Sequence, residues 1–314
     1  MFKLAYFSIQ SVLSFLLISS SLFAQANTEK PPKTYADAAY GPHERHRLDF
    51  WQAPSDGPAP VVLYIHGGGY SAFSKDNVGA DMISRCLAAG ISVAAVNYRT
   101  TKTHTIPHAM RDIRYSLQFL RSKADAWNID KVQIGATRGS AGGNASLWLA
   151  THDDMADPDD PDPVRRESTR LACAGVAGAQ PTHDWREMDA WIPGGVMNRA
   201  EDSRFMCNAP GPWGLQHFRE LNTMPMRALI HDLSAIKHIT PDDPPIFMTY
   251  DTDNVNTPPE DTKTWRPWAQ HHENMGYAFK GKLEAAGVPV WIQTKTASTK
   301  YDGITEFFIA FFGE

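Results

Sequence analysis

From residue 60 onward the chain alternates short apolar runs with segments of helical spacing, and this alternation limits the fold more than any other feature. Pro60 to His66 is continuously apolar and ends in glycines, the pattern of a strand buried on both faces. Lys75 to Ala89 reads as a helix stopped at Gly90, and Ile91 to Tyr98 is β-rich. Met110, Ile113, Leu117 and Leu120 recur at helical spacing behind Pro107, a residue suited to a first helical turn. Lys131 to Thr137 is the next strand, and a glycine-rich turn leads from it into a helix reaching about Ala150. Leu171 to Gln180, small and apolar, suits a tightly packed central strand. The pattern resumes with the strand Pro245 to Tyr250, a helix carrying Met275, Phe279 and Leu283, and the strand Val288 to Thr294. A last helix has Ile304, Phe307, Phe308 and Phe311 on one stripe. The fold class predicted is α/β, a mostly parallel sheet with helices on both faces.

Two stretches stand outside this scaffold. Residues 1–26 read as a secretory signal: Lys3 at the front, an apolar stretch from Val12 to Ala24, and the small-x-small pattern Ala24-Gln25-Ala26. The apolar run is short for a membrane span and no cysteine follows it, so a cleaved leader, a secreted or periplasmic location and no stable membrane span after cleavage are expected. Residues 27–314 then form one domain. Within it, about 181–240 breaks into Trp-, Met- and Pro-rich pieces and reads as a cap-like insertion over the sheet. The 314 residues are 42% hydrophobic and carry a net charge of −5 without a basic block, which excludes wholesale disorder and argues against nucleic acid as a partner. Cys86, Cys173 and Cys207 are too few for a disulfide framework, and the first two sit in apolar segments as small buried hydrophobes.

The strongest local signal is Arg138-Gly139-Ser140-Ala141-Gly142-Gly143, between a strand and a helix. A serine in so sharp a turn is held with its hydroxyl exposed above the sheet edge, and the following helix aims its free N–H groups at the same spot. The second signal is His66-Gly67-Gly68-Gly69-Tyr70, also directly after a strand. Consecutive glycines let the backbone approach a substrate closely, and with the N–H of Ala141 they could hold an oxyanion.

With these two motifs in this order, the sequence resembles the α/β-hydrolase family, in its HGGG-type esterase branch of hormone-sensitive-lipase-like and feruloyl-esterase-like enzymes. Gly41-Pro42-His43-Glu44-Arg45 with Leu48-Asp49-Phe50-Trp51 is similar to that branch's opening strands, and His238 to Pro245 to its approach to the acid-bearing strand. The resemblance implies an α/β-hydrolase fold and ester hydrolysis through an acyl-enzyme on Ser140, with a histidine base and an aspartate orienting it. It implies oxyanion donors at Gly68, Gly69 and Ala141, and aligns Thr137 with the first glycine of the G-x-S-x-G turn and Arg138 with the residue after it. By the same alignment Asp253 is the acid, with Asp251 as the alternative in the same loop.

The base is where the match breaks. The loop after the last strand, Lys295 to Gly303, has no histidine, and none follows His272. His271 or His272 would keep the order Ser–Asp–His. Lys300, which falls where the family's histidine sits, is the alternative, at the cost of desolvating a lysine. A triad that has lost its base, leaving a binding protein on the same fold, is the rival class, and a peptidase or amidase is a third. The substrate expected is a small-molecule or carbohydrate ester. No cofactor is expected, no Cys, His and Asp spacing suggests a metal site, and the acidic stretch from His152 to Pro163 reads as a solvated loop. The oligomeric state is not encoded in any motif.

Overall fold

The computed structural model describes residues 29–195, 211–253 and 255–313; residues 1–26, read as a leader, and Cys207 lie outside the described residues. Eight strands form one sheet: β1 (Tyr35–Ala39), β2 (Arg47–Trp51), β3 (Ala59–Ile65), β4 (Ser92–Val96), β5 (Ile129–Gly139), β6 (Cys173–Ala177), β7 (Ile246–Thr249) and β8 (Val290–Gln293). Their order is β1-β2-β4-β3-β5-β6-β7-β8. From β4 to β8 all neighbours are parallel, and β2 joins that block antiparallel to β4. The strand β1 begins inside the polar stretch Asn27 to Asp37, which reads as a lead-in to the scaffold rather than as a strand. It pairs only with β2 at the edge and is mostly exposed, so it lacks the apolar run that marks the buried strands.

Helices cover both faces. On one side α2 (Ile106–Ser122), α4 (Ala141–Thr151) and α8 (Glu273–Ala285) bury Ile113, Leu117, Leu147, Phe279 and Leu283 against Val61, Leu63 and Ile134. On the other, α1 (Ala80–Ala88) and α9 (Ile304–Gly313) bury Ile83, Cys86, Phe307 and Phe308 against Val62, Tyr64 and Val93. Alternate β3 residues thus face opposite layers, which is why the run is apolar throughout. Cys86 and Cys173 are free and buried, and burial pushes the Cys86 thiol up to about 12. The helix read over Lys75 to Ala89 is a short 3-10 turn, Lys75–Asn77, followed by α1.

The segment joining β6 to β7 carries α5 (Trp185–Trp191) and α6 (Met224–Asp232). After β7, α7 (Thr262–Gln270) leads into α8; the short α3 is Ala124–Trp127. Trp265 and Trp268 of α7 pack with Met188, Ile192, Ala269 and Met275, so core packing accounts for much of the tryptophan content here. Among the described residues no helix is long and apolar enough to cross a membrane.

Candidate active site

Ser140 stands between β5 and α4 with φ 57° and ψ −132°, a backbone conformation that L-residues rarely adopt. The turn survives because its surroundings leave no room to relax. A Cβ on Gly142 would lie 1.9 Å from the carbonyl oxygen of Ile65, so strand β3 and helix α4 meet backbone to backbone. The Ser140 N–H donates to Ala177 O at 3.0 Å and its C=O accepts from Asn144 N at 2.8 Å, while its hydroxyl has no hydrogen-bond partner among the described residues. Ser140 lines two adjoining cavities of about 1120 and 630 Å³.

Counting from Ser140, the first glycine of the G-x-S-x-G pattern falls on Arg138 and the intervening residue is Gly139, which corrects the alignment to Thr137. Thr137 is an ordinary buried strand residue whose hydroxyl donates to Gly175 O at 2.7 Å. Arg138 instead takes φ 146° and reaches into the larger cavity.

The glycine loop follows β3, the strand beside β5, so Gly68 and Gly69 face the serine turn across one strand spacing. The N–H groups of Gly68, Gly69 and Ala141 have no acceptor among the described residues and are free for an oxyanion. The loop is pinned from behind. Tyr98 OH donates to His66 O at 2.6 Å, and Arg45 Nε donates to Tyr98 O at 2.7 Å. Burial, aided by the nearby Arg45 guanidinium, pulls His66 down to about 4, so the ring is neutral and stacks on Tyr98 with centroids 4.1 Å apart. In front, Tyr70 OH donates to Asn144 Oδ1, and Asn144 Nδ2 donates to Gln180 O at 2.7 Å. Asn144 and Gln180 thereby join loop, helix and the end of β6; neither belongs to a motif, and their role is visible only in three dimensions.

The two adjacent histidines have separate fates. His271 caps the end of α7 and lines both cavities with Ser140. Its Nδ1 lies 2.8 Å from Gly178 O. A carbonyl only accepts, so this contact puts the proton on Nδ1 and leaves the Nε2 lone pair available; Gln180 Nε2, 3.3 Å from the same Nδ1, has the carbonyls of Gly178 and Gln270 for its two hydrogens. Gly178, at φ 51°, is required here: a Cβ would come within 3.0 Å of the His271 ring. His272 is fully buried and spent on structure, its Nδ1 accepting from Asn274 N at 3.1 Å as the cap of α8 and its Nε2 2.9 Å from Val255 O. It lines neither cavity.

Asp251 and Asp253 sit at the mouth of the larger cavity. The loop is tied to the α7–α8 junction by Thr252, whose hydroxyl donates to His271 O at 3.0 Å, and by Trp268, whose Nε1 donates to Asp253 O at 2.9 Å. Both carboxylates are exposed and both pair with Lys295, Asp251 at 3.2 Å. Lys295, in the loop where the histidine is missing, thus meets the acids, and no hydrogen bond joins either acid to His271 among the described residues. Lys300 lies 5.0 Å from the Trp291 ring centre and 4.7 Å from that of Tyr301, and lines neither cavity. Sequence reasoning passed over His183, a buried residue pulled down to about 3 by desolvation, which lines the smaller cavity with Ser140. Its only sequence signal was a position shortly after β6, the strand whose last residue, Ala177, accepts from the Ser140 N–H.

Elsewhere, His152, Asp232 and His238 each bring one potential ligand atom within 4.8 Å of the others. Sequence spacing concealed this grouping because His152 comes from a part of the chain distant from Asp232 and His238. It lines neither cavity at Ser140.

A serine strained at the carboxyl edge of such a sheet is the mark of the α/β-hydrolase fold, and the molecule has that fold. Within this class the chain belongs to the BD-FAE family, whose model matches residues 48–268. A probable carboxylic ester hydrolase, LipM of Mycobacterium tuberculosis, is 27% identical over 68% of this chain and 46% of its own length. The chain spans about half the length of the curated relatives it matches, 46% and 56% for the first two. Two solved structures are similar in fold. The acetyl ester-xyloside bifunctional hydrolase of Caldicellulosiruptor lactoaceticus has a TM-score of 0.62 and 20% identity over 85% of this chain and 87% of its own. A truncated carbohydrate esterase from gut microbiota has a TM-score of 0.66 and 17% identity over 92% and 99%.

Proposed function

We propose that the protein is a serine esterase that cleaves a small or carbohydrate-linked carboxylic ester through an acyl-enzyme on Ser140. The observation that carries this reading is the strained Ser140, its hydroxyl unbonded, opposite the free N–H groups of Gly68, Gly69 and Ala141. His271 Nε2 takes the serine proton as the hydroxyl attacks the ester carbonyl. The three amide N–H groups donate to the oxygen that gains negative charge, and the imidazolium then protonates the departing alcohol. Water repeats the sequence and releases the acid. The carbohydrate part of the proposal is supported by the names of the two structural neighbours. Export to a secreted or periplasmic location belongs to the same proposal and is supported by the leader-like residues 1–26.

This base is oriented by the backbone carbonyl of Gly178 rather than by a carboxylate. The carbonyl fixes the tautomer as an aspartate would, but without a full negative charge to stabilise the imidazolium. A modest turnover number is expected in consequence. The test is hydrolysis of 4-nitrophenyl acetate by residues 27–314, beside Ser140→Ala and His271→Ala. Ser140→Ala abolishes turnover and His271→Ala lowers kcat by about 10²–10⁴-fold. Equal rates in all three proteins would refute the mechanism and favour ligand binding without turnover.

A further inference from the structure

The turn that carries Ser140 holds a second strained residue, and its side chain is a cation. Arg138 takes φ 146° at the position where the G-x-S-x-G pattern has glycine, a residue that adopts such an angle without steric cost. Strain of this kind costs about 1–3 kcal/mol and clusters at active sites and ligand clamps. The guanidinium sits over the Tyr64 ring, 5.4 Å from its centre, and Arg138 lines the larger cavity with Ser140. Lys263 lines the same cavity from α7. Neither Arg138 nor Lys263 has a carboxylate within ion-pair distance among the described residues. The acids at the mouth that would otherwise neutralise them, Asp251 and Asp253, are both engaged by Lys295. One lysine leaves that pair of acids with a single residual negative charge, so with Arg138 and Lys263 the charges around the cavity sum to about +1, and the two cations nearest the nucleophile make no ion pair among the described residues, in a chain whose overall net charge is −5.

We propose that Arg138, assisted by Lys263, forms an anion subsite that selects esters bearing a carboxylate on the acyl or the alcohol portion. A planar guanidinium two residues from the serine offers paired donors to a carboxylate, and the ring beneath it fixes the orientation of that fork. The ester carbonyl is then presented to Ser140 with the charged group held at the wall. This inference rests on the esterase reading for its chemistry but not for its binding step, and the two are separable.

The decisive experiment compares two substrate pairs. One pair places the charge on the acyl side, 4-nitrophenyl hydrogen adipate against 4-nitrophenyl hexanoate. The other places it on the alcohol side, acetylated methyl glucuronoside against acetylated methyl glucoside. The wild-type protein should prefer the charged member of one pair in kcat/KM, which identifies the side that carries the carboxylate. Arg138→Gln should lower that charged-to-neutral ratio at least about tenfold, chiefly through KM, and Lys263→Gln by less. A ratio below one in both pairs, or one that Arg138→Gln leaves unchanged, overturns the subsite. Calorimetric titration of Ser140→Ala with adipate and with methyl glucuronoside needs no turnover. Saturable binding lost in Ser140→Ala/Arg138→Gln supports the subsite even if no ester is cleaved, and no binding of either anion overturns it. Arg138→Gly relieves the φ angle and serves as a folded control that must behave like Arg138→Gln in both assays.

Discussion

Replacing Ser140 by glycine should make the protein more stable while abolishing any serine chemistry. At φ 57° and ψ −132° the residue lies outside the left-handed helical well as well as the two main allowed regions. Holding a non-glycine residue in such a place costs of order 1–3 kcal/mol. Glycine removes most of that cost but loses about 0.5–1 kcal/mol through its greater backbone entropy in the unfolded chain. The side chain contributes little that would be missed, since its hydroxyl has no hydrogen-bond partner among the described residues. The net gain is roughly 1–2 kcal/mol, or about 2–3 °C in Tm for a domain of this size. Ser140→Ala keeps the Cβ and the strain, and should melt within about 1 °C of the wild type. Calorimetry on the three proteins, with urea midpoints at constant m-value as a check, reads the difference directly. A Ser140→Gly protein that melts no higher than Ser140→Ala would show that the turn is not strained and that the geometric argument for the nucleophile is wrong.

Other perturbations separate catalytic from structural roles. Asp253→Asn should change kcat/KM less than about tenfold, because its carboxylate is exposed and held by Lys295, a surface pair worth about 0–1 kcal/mol. A hundredfold loss would make Asp253 the orienting acid after all. His272→Ala should act on stability, lowering it by about 2 kcal/mol as the α8 cap and the contact to Val255 are lost, and a urea titration will show it. Gly142→Ala should yield little soluble protein, since the new Cβ meets backbone 1.9 Å away, whereas Gly57→Ala, with nothing within 4 Å, should fall within about 0.5 kcal/mol of wild type. Acidification from pH 7 to 5 should cost roughly 2–3 kcal/mol in urea-unfolding free energy. His66 and His183 are held down to about 4 and about 3 from 6.5, so the folded state binds fewer protons; their stabilisation is full above 6.5 and is lost as pH falls toward those values. Burial raises Asp243 to about 6, so its contribution has the opposite sign and partly offsets the loss; Asp243→Asn should steepen the fall.

The motifs and most of the scaffold were readable because their causes are local. A buried strand needs a continuous apolar run, as in Pro60 to His66, and an amphipathic helix needs its stripe, as in Met110 to Leu120. A serine turn squeezed between strand and helix needs small neighbours, so Gly139, Gly142 and Gly143 announced it from residue type alone. Strand β1 escaped because an exposed edge strand buries too little to impose a pattern.

The proposed partners of the serine were a different matter. His271 and His272 are neighbours in the chain, and no periodicity says which one turns toward the serine. The choice is made where α7 ends and α8 begins: the first ring reaches the carbonyl of Gly178 while the second caps the new helix. The acids of the β7 loop, similarly, meet Lys295 instead of a histidine because β8 is the neighbour of β7 in the sheet and delivers its following loop to that spot. Residue types and short-range spacing are enough to determine where a strand, a helix or a strained turn must form. Which side chains then share a cavity depends on strand order and on where helices end, and those are settled only when distant segments pack together.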